Sequence, residues 1–277
     1  MAAYTTLIEP GELAALDAVM IFDCSFVLTD PGAGKAIHAA SHIPGARHAD
    51  LEADLSGEIV QGQTGRHPLP ERQAFLACVR AWGITGAEQI VAYDQRSGAH
   101  AARLWWMLRW LGHANVAVLN GGFTAWRAES RSVTNDISSA PPAYEFSAGE
   151  PLTREVAATS LPATGQTVLD AREHQRFIGA VEPIDPVAGH IPGARCAAFD
   201  DNLDAEGRFR SASELADRFR GLGAGYDADT ICYCGSGVTA AHNILAMRHA
   251  GLPEPALYPG SWSEWIVDPA RPIATGE

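Results

Sequence analysis

One cysteine of this chain stands in a setting suited to nucleophilic chemistry. Cys234 opens the run Cys234-Gly235-Ser236-Gly237-Val238-Thr239-Ala240. An apolar stretch, Thr230-Ile231-Cys232-Tyr233, leads into it, and a helical pattern over 238–249 leads away. A sulfur between a strand end and a glycine-rich turn meets converging backbone N–H groups and the positive end of the helix dipole. Both favour an anion, and the thiolate is the form that attacks. Free cysteines more often fill cores and stay inert. The glycines weigh against that here, because they are costly inside an element and useful where backbone must curl around a group. Gly235, Gly237, Val238 and Thr239 are therefore expected to supply the loop backbone. Ser236 adds a hydroxyl that could bond a substrate or shuttle a proton, or simply serve the turn or a helix cap. Cys232 lies two residues before Cys234, but no second cysteine pair or histidine pair at zinc spacing accompanies it, so neither a metal nor a cofactor is expected.

The elements that position this loop occur twice in the chain. Ser41-His42-Ile43-Pro44-Gly45-Ala46-Arg47 recurs as Gly189-His190-Ile191-Pro192-Gly193-Ala194-Arg195. Val19-Met20-Ile21-Phe22-Asp23 is echoed by Thr167-Val168-Leu169-Asp170, Val91-Ala92-Tyr93-Asp94 by Ile231-Cys232-Tyr233-Cys234, and Gly121-Gly122-Phe123 by Gly260-Ser261-Trp262. Matches in one order with a slowly drifting offset mean a duplicated domain, not a short-period solenoid. In each half, short β-rich runs alternate with helical patterns: 90–93, 98–111 and 116–119, then 230–233, 238–249 and 256–258. This predicts an α/β protein of two tandem domains, each a mostly parallel sheet with helices on both faces. Ligands of such sheets bind at the carboxyl ends of strands, where Cys234 falls. The expected domains are residues 1–130 and 153–277. A Ser-, Pro- and Ala-rich linker over 131–152, marked by Ala140-Pro141-Pro142, joins them. The alignment sets Asp94 opposite Cys234, so the first half keeps the scaffold and lacks the sulfur.

Composition narrows the function classes. The chain has 277 residues and a formal net charge of −13. No basic field exists to neutralise nucleic-acid phosphates, so nucleic acid is not an expected partner. An anionic substrate would depend on local arginines and backbone dipoles. Five cysteines are too few, and odd in number, for a disulfide framework. The N-terminus lacks a signal-peptide pattern and no apolar run reaches membrane-spanning length, so a cytoplasmic protein without membrane association is expected.

The repeated His-Ile-Pro-Gly-Ala segments, Arg103-Leu104-Trp105-Trp106-Met107, Asn120-Gly121-Gly122-Phe123 and the Cys234–Ala240 loop together resemble the tandem-domain rhodanese family of sulfurtransferases. The resemblance spans nearly the whole chain. It implies an inactive first domain and a second domain whose cysteine carries a persulfide. The Cys-Gly-Ser-Gly-Val-Thr-Ala form resembles that of 3-mercaptopyruvate sulfurtransferases, whereas thiosulfate-specific members usually place cations just after the cysteine. The implied activity is transfer of a sulfane sulfur from 3-mercaptopyruvate to a thiol, cyanide or protein acceptor, thioredoxin among them. Thiosulfate as donor, or a persulfide carrier without turnover, stands as the alternative.

By the same resemblance Arg176, six residues after the strand-end Asp170, clamps the donor carboxylate, as a guanidinium is suited to do. Arg172 supports the loop through a salt bridge. His67 lines the donor site with Glu52 as its acidic partner, and Asp50 or Asp54 would fit that role after a small register shift. His42 and His190 fix turns. One departure stands out: the family's mercaptopyruvate enzymes often carry an arginine after the Glu-Pro of this segment, and here Glu182-Pro183 is followed by Ile184. A cysteine phosphatase, which shares a cysteine loop, would need an arginine six positions after the cysteine, where this chain has Ala240.

Overall fold

A computed structural model of the chain describes residues 3–137, 144–161, 165–226 and 229–277. The Ala140-Pro141-Pro142 segment of the expected linker lies outside the described residues. The chain divides into two compact units. The first comprises residues 1–57, 70–152 and 205–208, the second 58–69, 153–204 and 209–277.

In the first unit, β1 (Leu7–Ile8), β2 (Val19–Asp23), β3 (Arg47–His48), β4 (Gln89–Tyr93) and β5 (Val116–Leu119) form one sheet in the order β1-β5-β4-β2-β3. In the second, β6 (Thr167–Asp170), β7 (Arg195–Cys196), β8 (Thr230–Tyr233) and β9 (Ala256–Leu257) follow the order β7-β6-β8-β9. Every pair in both sheets is parallel. The second sheet keeps a remnant of the first one's edge strand, since Glu155 makes a single parallel bridge to Leu257 of β9. Parallel strands need crossovers, and helices Ala99–Trp110 and Thr239–His249 follow β4 and β8 as the sequence periodicity implied.

The same residue types build both cores. Ile21, Ile43, Val91, Tyr93, Leu119 and Trp126 fill the first, and Val168, Ile191, Ile231, Tyr233, Trp262 and Trp265 the second. The two tyrosines tie the repeated His-Ile-Pro-Gly turns to their sheets. Tyr93 Oη accepts the Ile43 N–H at 3.2 Å, and Tyr233 Oη accepts the Ile191 N–H at 3.1 Å. The histidines beside them also bond locally: His42 Nδ1 lies 2.7 Å from the His38 carbonyl and His190 Nδ1 2.8 Å from that of Phe177.

The helix behind the cysteine loop is buried from Ala240 to Met247, and polar contacts fix its position. Asn243 Nδ2 donates to the Ala197 carbonyl at 2.8 Å, and Asn202 Nδ2 donates to Asn243 Oδ1 at 2.7 Å. Among the described residues no helix is long and apolar enough to cross a membrane.

Candidate active site

Cys234 follows β8 directly and is 2% exposed. The loop turns at Gly237, whose φ of 77° suits glycine, and enters the helix at Thr239, with Val238 at the cap position. The Gly237 N–H donates to Cys234 Sγ at 3.1 Å, one backbone donor on the sulfur.

A second short helix, Ser261–Trp265, holds the other side of the loop. Trp262 N–H donates to the Cys234 carbonyl and Ser263 N–H to that of Gly235, each at 2.9 Å. The Cys234 N–H donates to Ser261 Oγ at 3.0 Å, and the Ser261 hydroxyl donates to the Tyr258 carbonyl at 2.9 Å. Ser261 is fully buried with φ 56°, a left-handed conformation that costs a residue with a Cβ about 1–2 kcal/mol.

The first unit repeats this scaffold around a different atom. Phe123 N–H donates to the Asp94 carbonyl at 2.9 Å and Thr124 N–H to that of Gln95 at 3.0 Å, so Asp94 holds the backbone place of Cys234. Its carboxylate accepts the N–H groups of Gly98 at 2.9 Å, His100 at 3.0 Å and Arg96 at 3.1 Å. The anion cradle of that loop is thus filled by the chain's own carboxylate. Gly122, with φ 59°, stands where Ser261 does, and a methyl added there would lie 2.4 Å from the Asp94 carbonyl oxygen.

His67 belongs to the second unit through segment 58–69. Its Nδ1 lies 2.8 Å from Ser236 Oγ, and both residues are buried. The neighbouring Arg66 N–H donates to Ser263 Oγ at 3.1 Å. Gly65 allows this approach, because a methyl there would lie 2.4 Å from Ser263 Oγ.

Arg176 sits in the short helix His174–Phe177. Its Nη2 donates to Glu182 Oε1 at 2.8 Å and Asp185 Oδ2 at 3.1 Å, and its Nε donates to Glu182 Oε1 at 3.1 Å. The other Asp185 oxygen is ion-paired with Arg66 Nη1. A methyl added at Gly235 would lie 2.8 Å from Arg66 Nη2 and 3.7 Å from both terminal nitrogens of Arg176. Two guanidinium groups therefore flank the residue after Cys234. Burial raises the Asp185 carboxyl above its ordinary range despite the attraction of Arg66.

Arg172 plays the supporting part. It reaches Asp170 Oδ2 at 2.6 Å, Glu182 Oε2 at 3.3 Å and the Gly189 carbonyl at 2.7 Å, and its guanidinium lies 4.8 Å from the Trp262 ring centre. Burial opposes its charge, yet the Asp170 carboxylate raises it above an ordinary arginine.

The structure thus gathers Cys234, Ser236, His67 and Arg176 in one unit. Glu52 is not in that group. It belongs to the first unit and is exposed, its N–H donated to Asp50 Oδ1 at 2.9 Å. Sequence reading missed Arg66, Asp185 and Ser261. The signal for Ser261 was present, as the duplication sets it against Gly122.

The other four thiols sit where burial disfavours the thiolate. Burial pushes Cys78 up to about 12 and raises Cys24, Cys196 and Cys232 as well. Among the described residues no three His, Cys, Asp or Glu side chains are placed to hold a metal ion.

The rhodanese-like domain model matches residues 10–129 and again 153–268. A probable 3-mercaptopyruvate sulfurtransferase of Pseudomonas aeruginosa is 49% identical over 265 residues, covering 94% of this chain and 93% of its own. The thiosulfate/3-mercaptopyruvate sulfurtransferase 2 of Arabidopsis thaliana is 33% identical over 262 residues, covering 85% and 75%. Among solved structures, 3-mercaptopyruvate sulfurtransferase from Leishmania major superposes with a TM-score of 0.84 at 32% identity, over 94% of this chain and 74% of that one. Two matched regions, two parallel sheets and one loop scaffold built twice agree: this chain belongs to the rhodanese-like domain family and carries the domain in tandem.

Proposed function

We propose that this chain is a sulfurtransferase that moves a sulfane sulfur from 3-mercaptopyruvate to a thiol, cyanide or protein acceptor through a persulfide on Cys234. The observation that carries the reading is the 2.8 Å pairing of Ser236 Oγ with His67 Nδ1, one turn residue away from the buried cysteine. A donor whose leaving group must be protonated on carbon needs such a relay, and a donor that expels sulfite does not.

The Cys234 thiolate attacks the thiol sulfur of the donor. The carbon–sulfur bond breaks, its electron pair passes to the keto acid as the pyruvate enolate, and the sulfur stays on Cys234. The proton lost from the donor sulfur reaches the enolate carbon through the Ser236 hydroxyl and His67, giving pyruvate and a persulfide anion. The Gly237 N–H steadies the charge on Cys234 Sγ before attack. Arg176, beside Gly235, is suited to the donor carboxylate. An acceptor thiolate then takes the outer sulfur and returns Cys234 to its thiolate. A protein thiol such as thioredoxin is chemically equivalent to a small one in this step. Five unpaired cysteines suit a reducing compartment such as the cytoplasm.

Thiosulfate is the second reading, favoured by the two guanidinium groups beside Gly235, since departing sulfite is a dianion. Three measurements test the function. Intact mass after donor treatment should show one added sulfur, and peptide mapping should place it on Cys234. Cys234→Ser should abolish both loading and turnover; activity surviving in that variant would overturn the mechanism. Comparison of kcat/KM for 3-mercaptopyruvate and thiosulfate, with one acceptor, should favour the former.

A further inference from the structure

The expected donor-clamp arginine after Glu182-Pro183 is replaced by Ile184, yet two cations still flank the cysteine loop. The second comes from Arg66, on a segment 119 residues away in sequence from its ion-pair partner Asp185. Arg66 Nη1 and Arg176 Nη2 are bound to opposite oxygens of that one carboxylate. Arg66 Nη2 and Arg176 Nη1 take no part in these pairs, and a methyl placed at Gly235 would lie 2.8 Å from the first and 3.7 Å from the second, as it would from the paired Arg176 Nη2. Arg66 Nε is buried with no partner among the described residues. The donors left over thus sit beside the nucleophile loop.

We propose that Arg66 is a second donor-binding cation, joined to Arg176 by the shared Asp185 carboxylate, and that Asp185 tunes this site toward singly charged donors and away from doubly charged ones. The inference rests on the sulfurtransferase reading and deepens it. Asp185 is 8% exposed, so solvent screens it weakly. With Glu182 on Arg176, two carboxylates offset two guanidinium groups. An anion entering here meets two arginines whose field is already largely cancelled. Its repulsion from Asp185 scales with its own charge, so a dianion feels twice what a monoanion feels. Planar hydrogen bonding to a carboxylate survives this cancellation, because it depends on geometry as well as net charge.

The test measures steady-state kinetics for 3-mercaptopyruvate, its methyl ester and thiosulfate in Arg66→Ala, Arg66→Lys and Asp185→Asn, with Cys234 loading followed by intact mass. Arg66→Ala should raise KM for both anionic donors about tenfold and leave kcat/KM for the uncharged ester close to that of the parent. Arg66→Lys should recover part of the loss. Asp185→Asn should raise the thiosulfate-to-mercaptopyruvate ratio of kcat/KM about tenfold or more. An equal effect of Arg66→Ala on ester and acid would make Arg66 structural and overturn the binding role. A ratio unchanged or lowered in Asp185→Asn would overturn the tuning role. If the unaltered protein gains no sulfur on Cys234 from any donor, the sulfurtransferase reading itself fails and this inference with it. Normal loading with an unaltered Arg66→Ala profile sinks only the inference.

Discussion

At the scale of single residues, the proposed mechanism separates attack from proton handling. Cys234 is served by backbone, through the Gly237 N–H on its sulfur. Ser236 is served by a side chain, through His67. Removing the hydroxyl should therefore spare the first task and damage the second. Ser236→Ala is expected to lower kcat with 3-mercaptopyruvate by about a hundredfold, the usual scale for a lost general acid–base group. Transfer from thiosulfate, which needs no proton on carbon, should change far less. Equal losses with both donors would show that Ser236 shapes the loop instead. Cys234 and Ser236 could be singled out in the sequence from the glycine-rich loop that follows a strand end, while Arg176 and His67 were singled out only through the family resemblance. Arg66 and Asp185 were not, because neither belongs to a periodic element and their pairing spans 119 residues. Spacing reports on neighbours along one element and says nothing of a distant loop that folds back.

At the scale of elements, the cysteine loop works as a joint between the helix Thr239–His249 and the short helix Ser261–Trp265. Ser261 is the pin of that joint. It accepts a left-handed φ of 56° at a position where the other domain uses Gly122, and in return its hydroxyl receives the Cys234 N–H. Ser261→Gly should relieve about 1 kcal/mol of backbone strain while losing two neutral hydrogen bonds of similar worth. Global stability, measured by urea denaturation, should stay within about 1 kcal/mol of the parent. The kcat/KM should fall about tenfold as Cys234 loses its amide anchor. A variant with full activity would show that the strain has no bearing on the site. The strands expected at 90–93, 116–119, 230–233 and 256–258 and the helices at 98–111 and 238–249 were legible to within a residue or two, since burial on both strand faces and a helical apolar pattern are local signals, whereas the helices Arg72–Ala81 and Ala212–Gly221 were not located. The loss of a full edge strand from the second sheet was not legible, as only a single bridge at Glu155 remains.

At the scale of the whole molecule, the acidic cluster around the arginines links stability to pH. Burial works to raise the Glu182 carboxyl, but hydrogen bonds from Arg176 and from the N–H groups of Asp185 and Ile184 outweigh it and lower it below its ordinary range. Glu182 therefore contributes stability above the ordinary carboxylate range, and that contribution is lost as pH falls through the lower folded value. Asp185 runs the other way. Burial raises it, so its contribution is present in acid and lost as pH rises through its folded value. Glu182→Gln should lower the melting temperature at neutral pH, consistent with about 1.5–3 kcal/mol for hydrogen bonds to a charged group. It should also flatten the decline of melting temperature between about pH 5 and 3. A parallel decline in variant and parent would place the acid sensitivity elsewhere. The duplication itself was readable from four short matches, and it also showed that one half lacks the sulfur. The membership of residues 58–69 in the second unit was beyond reach, because nothing in their composition distinguishes them from the loop around them. The burial that raises the Cys24, Cys78, Cys196 and Cys232 thiols has a practical meaning as well. Cys24 and Cys232 are buried in the folded chain and recover ordinary thiol reactivity when it opens, whereas Cys78 and Cys196 are half-buried. A brief pulse of alkylating reagent, mapped to Cys24 and Cys232, therefore reports the fraction of molecules in which the core of each unit has opened.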